Sequence, residues 1–202
     1  MKNTKIQDIK TLVETPFVGL YEVNYKNKLG DDRTWTVASR KNRKELKEIY
    51  LNNKEDKIDA VVIAAYHKDT NKLVLIKQFR VPINDYIYEL PAGLVDNDEK
   101  MEEAVKRELK EETGLELVKI NSIRSKSKIY LSPGMTDESV AFVNCTCKGE
   151  ISDEFLEEDE EIEAILVSQE EAKSILQGNE EIDIKAFLIL QMFAEIGENL
   201  FL

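Results

Sequence analysis

The segment Gly93–Leu115, GLVDNDEKMEEAVKRELKEETGL, sets carboxylates at helical spacing behind a glycine turn. Residues Met101 to Glu112 are good helix formers, no glycine interrupts them, and Gly114 stands where a helix C-cap belongs. The run Arg107-Glu108-Leu109-Lys110-Glu111-Glu112 is therefore expected on the last turns of a helix. Glu108 precedes Glu111 by three residues and Glu112 by four, so the carboxylates of each pair share a helical flank, ~5–6 Å apart at Cβ. Such a cluster repels itself unless a positive group enters it. Hard oxygen donors suit Mg2+ or Mn2+, and Mg2+ takes few carboxylates beside waters and substrate phosphates, which points to phosphate chemistry. Taken alone, the same spacing also describes an ordinary solvated acidic helix face.

The elements that must position this segment are legible in outline. Phe17–Tyr25 and Arg33–Ala38 read as strands joined by a turn at Leu29-Gly30-Asp31-Asp32, an antiparallel hairpin. Arg40–Lys57, rich in Lys and Arg, reads as an exposed connector with a domain boundary near Asp56. Ala60–Tyr66 and Leu73–Phe79 are strands around a turn at Asp69-Thr70-Asn71, and further strands are expected over Leu117–Ile123, Lys126–Leu131, Glu138–Cys147 and Glu163–Val167. Ser168-Gln169-Glu170-Glu171 is a capping box opening a helix through Leu176 that Gly178 ends, and Asp183–Phe193 is a final, incompletely amphipathic helix packed on the sheet or a partner chain. The order is α+β, a helix on a mixed sheet. The acidic run Asp153–Glu161 reads as a solvated loop or sheet edge.

Bulk properties agree with one domain and an accessory element: 202 residues, 42% of them apolar. A net charge of −12, from 40 acidic against 28 basic residues, disfavours nucleic acid and anionic membranes as partners. No apolar run is long enough for a leader or a membrane span, so a cytoplasmic protein is expected. Cys145 and Cys147 alternate along a strand and read as inert thiols rather than zinc ligands. The single histidine, His67, ends an apolar run and is expected to face solvent in a turn. Catalysis that relies on histidine has no other residue to use.

Gly93, Glu99, Arg107-Glu108, Leu109, Glu111-Glu112, Gly114 and Leu115 fall at the fixed positions of the Nudix hydrolase signature, and the chain is identified on them as resembling that family. The resemblance implies a Nudix α/β/α sandwich with a mixed sheet, preceded by an N-terminal antiparallel β-rich element. It also implies metal-dependent hydrolysis of a nucleoside diphosphate linked to another group. Glu108, Glu111, Glu112 and the carbonyl of Ala92 would then hold Mg2+, with Mn2+ an alternative, while Glu99 and Arg107 brace the loop on the helix. Glu111 is carried over as catalytic as well as metal-binding.

Lys77-Gln78-Phe79-Arg80, Tyr88-Glu89-Leu90-Pro91-Ala92-Gly93, Arg33-Thr34-Trp35 with Arg40, and Tyr130-Leu131-Ser132-Pro133-Gly134 with Glu138 resemble the ADP-ribose pyrophosphatase branch over roughly residues 15 to 200. In that branch Trp35 would stack on adenine, Arg40 and Arg80 would hold phosphate or ribose, Leu94 would touch the substrate and Glu138 would orient or deprotonate water. Trp35 is followed by Thr36 where animal members carry an acidic residue. The branch further implies a dimerisation element over residues 1–57, exchanged between subunits of a homodimer, and a hydrolase domain over 58–202. Expected substrates are ADP-ribose first, then another nucleoside diphosphate sugar or a dinucleotide. A non-catalytic nucleotide sensor is a further alternative.

Overall fold

In the computed structural model, residues 5–157 and 160–202 are described. The chain forms two compact units, Met1–Asp59 with Ile129–Val140, and Ala60–Lys128 with Ala141–Leu202.

The first unit carries a three-stranded antiparallel sheet of β1 (Ile6–Glu14), β2 (Gly19–Lys26) and β3 (Asp32–Ser39), in that order. The hairpin expected from Phe17 to Ala38 is β2–β3, in register from Gly19↔Ser39 to Lys26↔Asp32. Strand β1 escaped the sequence reading because Gln7, Asp8 and Lys10 break its apolar run, leaving Ile9 as its one fully buried residue. The connector expected at Arg40–Lys57 is corrected: it contains α1 (Arg43–Tyr50). Asn42 caps this helix, accepting from Glu45 N while the Glu45 carboxylate accepts from Asn42 N, both at 3.0 Å. Leu46 is the anchor that charge content concealed, packed with Ile9, Tyr21 and Val23 into a small core.

The second unit holds most of a mixed sheet that numbers nine strands among the described residues. These include β4 (Ala60–His67), β5 (Lys72–Arg80), β6 (Asp85–Glu89), β7 (Ala92–Leu94), β8 (Glu116–Ile120), β9 (Lys126–Tyr130), β10 (Ser139–Lys148), β11 (Ile162–Val167) and β12 (Glu181–Ile182). The main path runs β12-β6-β5-β4-β10-β8, with β11 beside β5 and β7 beside β4. Only β12 on β6 is shown to run parallel; β4–β5, β4–β7, β5–β6, β5–β11 and β8–β10 are antiparallel. Every residue of β4 is buried, as befits a central strand covered on both faces. The helices are α2 (Met101–Thr113), α3 (Gln169–Gln177) and α4 (Ile184–Ile196), capped at their starts by Ser168 for α3 and Asp183 for α4. Helix α4 buries Ala186, Ile189, Leu190, Phe193 and Ala194 while Ile184, Leu188, Met192 and Ile196 stay exposed, the reason its pattern is not cleanly amphipathic. Phe193 and Phe201 close the core around Tyr66, whose ring stacks on Phe201 at 5.2 Å. No helix among the described residues is long and apolar enough to cross a membrane.

Because Leu46 is the only fully buried side chain of α1, Leu46→Ala is expected to destabilise the protein by about 2–4 kcal/mol in a urea titration. A loss below ~0.5 kcal/mol, the range of ordinary surface substitutions, would mean that α1 is not packed as described.

Candidate active site

Helix α2 buries a stripe made of Ala104, Val105, Glu108, Leu109, Glu112 and Thr113, so the i, i+4 spacing that orients apolar residues inward carries Glu108 and Glu112 inward too. The helix ends where the sequence required, with Gly114 in the left-handed conformation at φ 74° and its N–H bonded to Lys110 O. Opposite the stripe lies β7, pinned to the central strand through Val62↔Ala92, Val61↔Gly93 and Ala60↔Leu94. The Ala92 N–H donates to Glu112 Oε2 at 2.9 Å. A Cβ on Gly93 would stand only 1.9–2.1 Å from the Glu108 carboxyl atoms, so the carboxylate fills the space that only glycine leaves open.

Arg107 supplies the positive group that the cluster demanded. Its Nε and Nη2 donate to the two Glu99 oxygens at 2.9 Å each, its Nη1 donates to Glu108 at 2.8 Å and Glu111 at 2.9 Å, and Nη2 also reaches Leu94 O at 2.9 Å. The guanidinium thereby ties the loop to the helix, and Glu99 is held below the usual carboxylate range by its hydrogen bonds. Glu112 gains no such partner. Burial pushes its carboxyl well above the ordinary value, against the pull of the Ala92 amide, and burial likewise raises Glu108.

The arrangement is short of positive charge at its buried end, which fits a cation. Among the described residues no group of three or more His, Cys, Asp and Glu side chains is gathered so that it could hold a metal ion by itself. Mg2+ does not require one, since one or two carboxylates suffice when waters and substrate phosphates complete its shell. Glu108, Glu111, Glu112 and Ala92 O are the groups that could hold such an ion.

Glu160 is a residue that the sequence reading did not single out. It sits in the acidic run read as solvated, yet it adds repulsion that raises both Glu108 and Glu112, so the chain folds it toward the cluster. Charge density alone gave no sign of this, because a solvated loop has the same composition. Its neighbours Glu158 and Asp159 lie outside the described residues.

Arg80 leaves β5 and is gripped by the buried Glu89 of β6, with Nε–Oε1 at 3.0 Å and Nη2–Oε2 at 2.5 Å; the field of Glu112 also reaches it. Leu94 is half exposed on β7. In the first unit, Trp35 is 53% exposed and its Nε1 donates to Gly134 O at 3.2 Å, while Arg40 Nε donates to Glu138 Oε1 at 3.1 Å. Thus Glu108, Glu111, Glu112, Ala92, Leu94 and Arg80 belong to one unit, and Trp35, Arg40 and Glu138 are brought together in the other.

His67 is corrected. It is buried at the end of β4, with Nε2 2.9 Å from Gly149 O and Nδ1 2.9 Å from the Thr70 hydroxyl, a satisfied structural group and not a solvent-facing one. Both cysteines are free and buried, and burial pushes the Cys147 thiol up to about 12, far from a thiolate at neutral pH.

The NUDIX domain profile matches residues 56–188 of this chain. The chain is 34% identical over 124 residues to the ADP-ribose pyrophosphatase of Bacillus subtilis (strain 168), a match covering 61% of this chain and 65% of that protein. It is 29% identical over 160 residues to the GDP-mannose pyrophosphatase of Yersinia enterocolitica, covering 75% of this chain and 78% of that one. A solved structure described as an ADP compounds hydrolase shares the fold at TM-score 0.68 and 17% identity, covering 96% of this chain and 94% of its own. The chain spans 58–65% of the length of three curated relatives, the Bacillus protein among them.

The buried end of the cluster has a measurable signature in stability. Glu112 has a raised carboxyl in the folded state, so it costs no stability below the unfolded value of 4.5, the penalty grows as pH rises above that value, and it is complete once pH has passed the raised folded value. Glu99 works the other way, its contribution being lost as pH falls through its lowered value. In chelator, Glu112→Gln is therefore expected to raise Tm at pH ~8 by more than it does at pH ~5. A pH-independent effect of the substitution would refute the buried carboxyl with a raised value.

Proposed function

This chain belongs to the NUDIX family, and from that premise we propose that it hydrolyses the pyrophosphate of ADP-ribose to AMP and ribose 5-phosphate with a divalent cation, Mg2+ or in its place Mn2+. The observation that carries the reading is the pair of inward carboxylates, Glu108 in the space that Gly93 leaves open and Glu112 on the Ala92 N–H. Glu108, Glu111, Glu112 and Ala92 O would hold the ion, which when bound neutralises the pyrophosphate and lowers the pKa of water.

The chain's own groups do the rest. Glu89 fixes Arg80 through Nε and Nη2, so Nη1 is left to donate to a phosphate oxygen. Trp35 offers an indole face for stacking on adenine, Arg40 a guanidinium for phosphate or ribose, and Glu138 a carboxylate to orient or deprotonate water. Leu94 supplies an apolar contact beside the phosphate path. Glu111, the least buried of the three cluster glutamates, would meet water and substrate, a role its exposure supports. A homodimer that exchanges the β-rich element of residues 1–57, next to a hydrolase domain over 58–202, belongs to the same reading and is supported by the exposed Phe17, Val18 and Leu20. So does a cytoplasmic location.

A second reading, hydrolysis of another nucleoside diphosphate sugar, is favoured by one observation: Thr36 stands where an acidic residue helps read adenine, and a GDP-mannose pyrophosphatase is among the relatives. The test is AMP or GMP release from ADP-ribose, ADP-glucose, GDP-mannose, a dinucleotide and nucleoside triphosphates, with Mg2+ and with chelator. ADP-ribose is expected to give the highest kcat/KM, to lose it in chelator, and to lose at least ~10-fold of it on Trp35→Ala, the scale of one base–aromatic stack. A GDP-mannose preference would install the second reading, and no turnover of any compound would make the chain a nucleotide sensor.

A further inference from the structure

In the first unit, Arg40 and Lys41 face Glu138 and Asp137 as two successive ion pairs. Arg40 takes Glu138 at 3.1 Å. Lys41 Nζ lies 3.3 Å from Asp137, 2.7 Å from Asp59 and 3.5 Å from Asp56, with 13% of its side chain exposed and those of the acids 9–17% exposed. Asp59 in turn accepts from Ser139 N at 2.9 Å, and its own N–H donates to Ser139 O at 2.7 Å. The stretch before Asp137 is held at two more points, Met135 O by Ala38 N at 3.0 Å and Gly134 O by the Trp35 indole.

One ammonium thus stands among three largely buried carboxylates, the residue after one of which is Glu138. Removing a buried ion's partner costs far more than the pair itself contributes, because the remaining charges are left desolvated and, here, mutually repelling. The relief open to them is for the 131–138 loop to turn toward water. The Tyr50 hydroxyl, also in the field of Asp137 and Asp56 and pushed up by burial, brings no positive charge.

We infer that Lys41 is a positioning residue: through Asp137 and Asp59 it fixes the loop that presents Glu138. This rests on the proposed role of Glu138 toward water, but the loop itself can be watched without turnover. Trp35 is the single tryptophan of the chain and is hydrogen-bonded to that loop, so its fluorescence reports the loop's place.

The experiment uses the full chain as Lys41→Met, Lys41→Arg, Glu138→Gln and Lys41→Met with Glu138→Gln. Lys41→Met is expected to shift Trp35 emission and increase its quenching by acrylamide, with Lys41→Arg restoring both. The kcat for ADP-ribose is expected to fall by about 100-fold with KM changed by less than ~3-fold, the scale of an ångström's misplacement of a catalytic group. In the Glu138→Gln background the same substitution should cost kcat nothing more. Unchanged quenching in Lys41→Met, or an equal further loss of kcat without Glu138, would overturn the inference. If wild type does not turn over ADP-ribose, the functional reading fails while the fluorescence still decides for or against Lys41. Should Lys41→Met not fold, Asp137→Asn, which cuts the link but lowers the buried charge, is expected to give the same change in quenching, and its absence would overturn the inference equally.

Discussion

The placing of two carboxylates on the inward stripe of α2 is the constraint from which the rest of the site follows. Glu108 and Glu112 occupy positions where helical periodicity otherwise puts Ala104, Val105 and Leu109. Burying them is unfavourable in isolation. The chain offsets part of that cost with one guanidinium, Arg107, and one amide, Ala92 N–H, and it opens the necessary room by a glycine at 93. Loop, β7 and helix are thereby fixed to each other, the loop and helix through their charged side chains and β7 through the Ala92 N–H and the Leu94 carbonyl. At Glu112 the Ala92 amide and the field of Arg80 offset only part of the cost of burial, and its carboxyl stays well above the ordinary value.

The two units solve a shared electrostatic problem by similar means. In each, one cation bridges three acids: Arg107 joins Glu99, Glu108 and Glu111, and Lys41 joins Asp56, Asp59 and Asp137. The choice of cation differs with the task. The forked guanidinium of Arg107 reaches loop, helix and the Leu94 carbonyl at once, whereas the Lys41 ammonium acts as a compact point charge inside a knot. A protein with a net charge of −12 can ill spare either.

Much of this was legible in the residues. The helix over Met101–Thr113, its Gly114 cap, the β2–β3 hairpin and the capped α3 each had a local signal with a mechanism, and the structure forms them. The α+β order followed from the succession of strands and helices, and the Nudix fold from the resemblance carried by the signature. What stayed hidden depended on tertiary contact. Leu46 among lysines looked like a connector until Ile9 and Tyr21 packed on it, His67 looked like a turn residue until Gly149 O and Thr70 met its ring, and Glu160 was one acid in a run of acids. The Arg80–Glu89 grip joins neighbouring strands off register, since Arg80 lies opposite Asp85 and Glu89 opposite Ile76, so neither spacing nor strand pairing announces it.

The central claim, that the buried end of the α2 cluster is a cation site, is tested most directly by titrating the protein with Mn2+ and reading free ion by electron paramagnetic resonance. Ion binding must displace the proton that burial favours on Glu112, so affinity is expected to rise with pH above the ordinary carboxylate range, and Glu112→Gln is expected to lose at least ~10-fold in affinity together with that pH dependence. Equal Mn2+ affinity in Glu112→Gln, or no binding by the wild-type chain, would contradict the account.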